Sequence, residues 1–140
     1  RIGGKYSDSW HLNHFYDPQS TSSGSIMPSY KWLINNKLEK SMTVDKMEAM
    51  VTLGVPYTEE EIARAMEWMD EQGTKIEENL YGDPDFVKVY EADKKYATDN
   101  GEDFIEMKNR EVVAVIAYLQ RLGTDINVKD DGVVNTNKTE

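Results

Sequence analysis

The stretch YSDSWHLNHFYDPQSTSSGSIMPSYKWL, residues 6–33, differs in residue type from the rest of the chain and decides how the fold is interpreted. It holds both histidines, two of the three tryptophans and a Met27-Pro28 pair that follows a Ser/Gly-rich loop. Elsewhere the sequence has the amphipathic patterns of an acidic helical protein. Aromatic rings beside a polarizable sulfur are typical of a packed core, and equally of a wall against a flat aromatic cofactor.

Capping and proline signals predict two short helices around this loop. Ser7 or Asp8 can cap a helix that continues to about Tyr16. The side chains expected to turn inward are Trp10, Leu12 and His14. Pro18 should end the helix, because the residue before a proline is pushed out of helical geometry. Residues 19–25 then form an irregular loop, and residues 30–38 form a second short helix.

Four longer helices are predicted beyond it. They cover residues 43–54, residues 59 to beyond 69, residues 84–97 and residues 109–123. Gly73 is expected to weaken or end the second of these helices. In the first of these helices, one face is expected to carry Val44, Met47, Met50, Val51 and Leu53. In the other three, the side chains expected to face the core are Ile62, Ala65, Met66, Met69, Phe86, Val89, Tyr90, Tyr96, Val112, Val113, Ile116, Leu119 and Leu122. The fold is therefore expected to be mostly α, with a flexible tail over residues 124–140.

Charge and composition exclude several classes of function. The chain of 140 residues carries a net charge of −10, with +2 on residues 1–38 and −12 on the remainder. An acidic body lacks the basic patch that nucleic-acid binding needs, so the charge serves either solubility or the docking of a basic protein. There is no cysteine, which excludes disulfides, thiolate metal sites and a Cys-x-x-Cys-His haem attachment motif within this chain.

The two histidines and Met27 each allow more than one interpretation. His11 and His14 are spaced i, i+3 like a metal-binding pair, but no carboxylate stands at the spacing of a zinc-protease motif, so a buried histidine is favoured over a metal-dependent hydrolase. A loop methionine followed by proline is how small electron-transfer haem proteins hold a soft axial ligand. It is also a common way to fill a gap in a core.

Four blocks of sequence together resemble one family. They are GGKYSDSWHLNHFYDP at residues 3–18, SIMPSYKWL at 25–33, LGVPYTEEEIARA at 53–65 and VVAVIAYLQRLGT at 112–124. In this order they are similar to the haem-c-bearing subunit II of cbb3-type cytochrome c oxidases, and the resemblance covers residues 1–124. That subunit has one N-terminal membrane helix and a class I cytochrome c domain that faces the bacterial periplasm.

The resemblance implies roles for particular residues. Met27 would supply the thioether ligand of the haem iron. Trp10, His11 and His14 would line the propionate or edge side of the haem, and Pro28, Tyr30 and Trp32 the methionine side. Residues 1–123 would be an incomplete class I cytochrome c-like domain, with residues 43–100 as a helical insertion between the methionine loop and the C-terminal helix. No residue is expected to be catalytic.

The implied function is electron relay from a cytochrome c subunit of the oxidase to its haem–copper catalytic subunit, at the bacterial inner membrane. The membrane helix, the attachment motif and the proximal histidine of the family do not occur in this sequence. We therefore expect an excised C-terminal portion that binds no haem c by itself, although the full-length subunit would. An alternative is a haem-free helical protein-interaction module. Apolar surface left open on the last helix also suggests a homodimer.

Overall fold

The computed structural model describes residues 2–124, and within this part of the chain there are seven α-helices and one 3₁₀-helix. They are α1 (Asp8–Tyr16), α2 (Pro18–Thr21), α3 (Lys31–Asn35), α4 (Thr43–Thr52), α5 (Glu59–Leu80), α6 (Pro84–Asn100), the 3₁₀-helix Met107–Asn109, and α7 (Glu111–Arg121). The mostly α prediction is confirmed. The predicted tail lies, apart from Thr124, outside the described residues.

The first helix begins and ends where the local signals predict. The Ser7 side chain accepts a hydrogen bond from the Trp10 backbone N–H at 3.1 Å, and the helix ends at Tyr16. Asp17 then caps α2 by accepting from the Gln19 N–H, with Pro18 as the first helical residue. The prediction of a loop from residue 19 is thus wrong for its first three residues, because Asp-Pro favours a new helical turn.

Helix α5 contradicts the prediction that Gly73 ends it, since the helix continues to Leu80. It begins at a complete capping box, in which Thr58 and Glu61 each bond the other's backbone N–H. Gly73 is buried, and a Cβ there would lie 3.0 Å from the Lys108 carbonyl oxygen. Glycine therefore allows the turn at 107–109 to approach the helix closely, and packing outweighs its poor helix propensity.

Helix α6 ends at Gly101 in the left-handed conformation (φ +67°), as the Asn-Gly pair predicts. Its buried face differs from the expected one. Tyr90 and Ala97 are buried, whereas Val89 is 70% and Tyr96 61% exposed. Apolar residues on two sides of this helix left the sequence pattern ambiguous, and only packing against α5 and the 3₁₀-helix selects the side that is buried.

The core lies around α7. It is formed by Leu12, Ile76, Leu80, Tyr90, Met107, Val112, Val113 and Ile116. Three of the predicted side chains of α7 are therefore buried, but Leu122 is 41% exposed because α7 ends at Arg121. Met66 is also 39% exposed. Within residues 2–124 no helix combines the length and apolarity needed to cross a bilayer.

Two backbone hydrogen bonds attach the segment after α3 to the start of α7. Leu38 N donates to the Asn109 carbonyl at 2.7 Å, and Glu111 N donates to the Asn36 carbonyl at 3.0 Å. Arg110, between these positions, is 6% exposed and donates to the carbonyl oxygens of Ile105 and Ile34. These contacts hold the region that follows the methionine loop against the core helix.

Candidate functional site

Three rings are stacked along one side of α1 and the residues before it. Tyr6 stacks on Trp10 with ring centroids 4.0 Å apart, and Trp10 stacks on His14 at 4.6 Å. Residues four apart share a helix face, so the spacing 6, 10, 14 produces a continuous column of flat surfaces. The Lys5 ammonium lies 5.0 Å from the Tyr6 ring centroid at the end of the column. Trp10 and His14 are half-buried, so the column remains accessible from one side.

A hydrogen bond fixes the orientation of the His14 ring. Its Nδ1 lies 2.5 Å from the Thr21 hydroxyl oxygen. The same hydroxyl oxygen lies 3.2 Å from the Pro18 carbonyl oxygen at the start of α2. The ring column on α1 is thereby tied to α2.

His11 takes a different position from His14. It is 3% exposed, it meets the Trp10 ring edge-on at 5.3 Å, and its Nε2 is buried without a hydrogen-bond partner among the described residues. Burial lowers the pKa of His11, while the nearby Asp8 carboxylate acts in the opposite direction and His14 lowers it further. His11 is thus a neutral, buried ring at neutral pH.

Asp8 holds α1 against two other helices. Its carboxylate accepts from Asn79 Nδ2 at 2.8 Å and from Gln120 Nε2 at 2.7 Å. Gln120 also donates to the Tyr6 carbonyl at 2.9 Å. A 7% exposed carboxylate that is bonded on both oxygens fixes the register of the helix that carries the ring column.

The loop that carries Met27 is attached to the C-terminal end of α1. The Ser29 hydroxyl donates to the Tyr16 carbonyl at 2.5 Å, and Tyr30 N donates to the Phe15 carbonyl at 2.8 Å. Within the loop, Met27 N donates to the Ser25 hydroxyl at 3.2 Å. The methionine is partly buried and Pro28 is exposed. The loop is therefore attached to α1 on the C-terminal side of Met27.

Aromatic residues continue from this loop. Tyr30 contacts Trp32 with ring centroids 4.9 Å apart and contacts Phe15 edge-on at 6.2 Å. Trp32 is 51% exposed, and Ile26, next to the methionine, is fully exposed. An indole and an isoleucine side chain close in sequence to Met27 are therefore open to solvent.

The structure thus brings the predicted site residues into two groups. On α1, the Trp10 ring contacts both His11 and His14. Tyr30 and Trp32 contact each other beside the methionine loop, and Phe15 links this group to α1. The described part of the chain has no cluster of three or more His, Asp or Glu side chains able to hold a metal ion, so a hydrolytic centre on His11 and His14 finds no further ligands.

Sequence reasoning missed several residues of this region. The column of Tyr6, Trp10 and His14 could have been predicted from its i, i+4 spacing. The positioning role of Asp8 could not, because its partners Asn79 and Gln120 are 71 and 112 residues away.

Residues 2–124 thus form a small helical domain in which stacked aromatic rings on α1 adjoin a loop that carries a methionine. Residues 1–126 match the family described as "Cytochrome C oxidase, mono-heme subunit/FixO", and the chain belongs to this family. Comparison with curated proteins gave no match. The family assigns the chain to a multisubunit cbb3-type oxidase and to electron transport.

Proposed function

We propose that this chain forms part of the haem-c electron-transfer domain of the oxidase, in which Met27 donates its thioether to the iron. The observation that carries the proposal is the methionine loop, which is fixed to α1 at Ser29 and Tyr30 and flanked by uncovered apolar side chains at Ile26 and Trp32. The side chain of an axial ligand must be held in a fixed orientation toward the metal, and an anchored loop provides this. The domain would have the class I cytochrome c arrangement, facing the periplasm from the inner membrane.

The residues present fit a haem group as one wall of its pocket. The soft sulfur of Met27 suits iron, and Tyr30 and Trp32 offer flat apolar surfaces. The ring column of α1, including Trp10 and His14, would border the edge of the group, with His11 behind it. The chain offers no thiolate for covalent attachment, since it has no cysteine. We therefore infer that the attachment site and the proximal histidine belong to residues outside this sequence.

The proposed division of roles follows from these contacts. Bound haem would supply a one-electron redox centre. The chain's own residues would orient the thioether, exclude water from its surroundings and hold the aromatic wall rigid. A methionine ligand in an apolar environment favours the reduced state and a high potential. Electron transfer of this kind needs no proton-transfer residue, so the domain is proposed to be non-catalytic. It would relay electrons from a cytochrome c subunit to the haem–copper subunit.

The exposed side of α7 also supports the proposal that a further segment of the subunit packs against this domain. The core side of α7 is buried, whereas Ala114, Ala117 and Tyr118 line a cleft of about 210 Å³ whose opposite wall is formed by Met69, Gln72 and Gly73 of α5. Tyr118 is 64% exposed. In the proposed domain this face receives the haem-bearing N-terminal helix. Residues 43–100 would then be an insertion specific to this domain.

The alternative is a haem-free helical interaction module, which the absence of cysteine favours. Expression from the gene with all codons that precede Arg1 separates the two. A red protein with covalently bound haem supports the electron-transfer domain. A complete gene product without a Cys-x-x-Cys-His motif supports the alternative.

Met27 is tested in that haem-loaded protein. Met27→Leu should abolish the sulfur-to-iron charge-transfer absorption and lower the reduction potential, because leucine has similar volume but no donor atom. Met42→Leu, at an exposed methionine just before α4, is the matched control and should leave both unchanged. An unaltered spectrum in Met27→Leu would show that another atom ligates the iron.

A further inference from the structure

Helix α4 has an apolar face that its neighbour does not fully cover. Val44, Met47, Met50 and Val51 follow the spacing of one helix face, yet α4 has no buried residue. Met50 is 43% and Val51 41% exposed. The helix packs against α5, and this contact leaves Met50 and Val51 partly open to solvent.

Large apolar side chains are also exposed on the connection between α4 and α5 and on α5 itself. Leu53 is 79%, Tyr57 40% and Met66 39% exposed. We call Met50, Val51, Leu53, Tyr57 and Met66 the α4–α5 surface. It lies on a different part of the chain from the methionine loop at residues 25–30. Single exposed apolar residues are normal on a protein surface. Five large ones on one helical hairpin are more than such scattered exposure accounts for.

Charge around this surface specifies what could cover it. Residues 43–71 contain eight acidic and two basic residues, a formal charge of −6. One of the two bases, Arg64, is engaged by Glu67 at 3.0 Å and lies over the Trp68 ring. An anionic lipid surface, a nucleic acid or a second copy of this acidic chain would be repelled. A positively charged partner would be attracted.

We propose that the α4–α5 surface is a docking site for a basic amphipathic helix of a partner protein. Flexible methionine side chains adapt to an apolar helix face, and the acidic residues around them would pair with lysine or arginine at its edges. Asp45 and Glu48 on α4, and Glu59, Glu60 and Glu61 in the first turn of α5, are the acidic groups nearest in sequence to the surface.

The test uses the full 140-residue chain with ¹³C-methyl-labelled methionine. The probe is an 18-residue helical peptide with leucine on one face and lysine on the other, compared with the same peptide carrying glutamate for lysine. We expect the Met47, Met50 and Met66 methyl signals to shift with the lysine peptide, while Met27 and the 3% exposed Met107 stay unchanged. The lysine peptide should bind at least about tenfold more tightly than the glutamate peptide.

Matched variants separate this site from nonspecific attraction. Met50→Gln should weaken binding at least about fivefold, whereas Val89→Gln, at a 70% exposed position of α6, should not. Glu60→Lys should weaken binding, and Glu91→Lys on α6 should do so much less. Equal binding of both peptides, or equal effects of each variant and its control, overturns the proposal. So do methyl shifts that grow with protein concentration alone, or binding to phosphatidylserine vesicles instead of the peptide.

Discussion

Buried polar residues do much of the positioning in this domain at the scale of single side chains. Asp8 joins α1 to α5 and α7, and Arg110 joins α3 to α6 through its ion pair with Asp93 at 2.9 Å. Both are almost fully bonded, as buried charges must be. His11 is the exception, since its Nε2 is buried without a described partner.

His11 should make stability depend on pH. Its pKa in the folded state is lowered by burial, so the unfolded chain binds the proton more readily once the pH falls below about 6.5, the ordinary histidine pKa. The stabilising contribution is therefore complete above that pH and is lost as the pH falls toward the depressed folded value. We expect the free energy of unfolding to fall between pH 7 and pH 5, by at most about 1.4 kcal/mol per pH unit for this single proton.

Urea unfolding at several pH values measures this slope. His11→Gln removes the titrating group and should flatten it over that window. His14→Gln should retain it, because His11 stays buried in that variant. The same slope in His11→Gln as in the unaltered chain would mean that another group causes the pH dependence.

At the scale of elements, local signals account for several helix starts, but they do not account for the end of α5. The predicted cap at Ser7 is confirmed. The Thr58–Glu61 capping box and the Asp83 cap before Pro84 are likewise signals contained within four residues of sequence. Gly73 is also a local signal, but the contact with Lys108 that overrides it spans 35 residues of sequence. The inward side of α6 likewise depends on distant partners, because the Tyr90 hydroxyl donates to Glu77 and accepts from Met107 N.

Gly73→Ala tests whether this close contact determines the packing of α5. Alanine is favoured over glycine inside a helix by roughly 1 kcal/mol. The new Cβ, however, would lie 3.0 Å from the Lys108 carbonyl oxygen and 3.3 Å from its Cβ, and overpacking of this kind costs roughly 1–3 kcal/mol. We expect a net loss of about 1 kcal/mol in the free energy of unfolding.

The control for this prediction lies on the same helix. Ala63 is exposed, so Ala63→Gly measures the propensity term alone and should cost about 1 kcal/mol. A higher melting temperature for Gly73→Ala would show that the turn at 107–109 can move away, and would contradict the proposed reason for glycine.

At the scale of the whole molecule, the domain presents two separate uncovered apolar regions. One lies at the methionine loop, and we propose that it, together with the exposed side of α7, meets a haem-bearing counterpart. The other is the α4–α5 surface. The sequence allowed the first to be anticipated, because its residue types are unusual. It gave little sign of the second, since α4 has an ordinary amphipathic pattern and only the structure shows that none of its side chains is buried.

The outer face of α7 provides a test of the missing counterpart. Tyr118 is 64% exposed, so Tyr118→Glu should change the stability of the 140-residue chain by no more than about 0.5 kcal/mol. In a longer subunit that includes the haem attachment segment, the same glutamate would be buried at the proposed helix contact. It should then cost at least about 2 kcal/mol, because an unpaired charge loses its hydration there.

Tyr96→Glu, at a 61% exposed position of α6, should be tolerated in both proteins. The free energy of unfolding of each variant is measured in both proteins, with haem absorbance as the signal in the longer one. Equal tolerance of the two glutamates in the longer subunit would mean that its N-terminal helix does not pack at Tyr118.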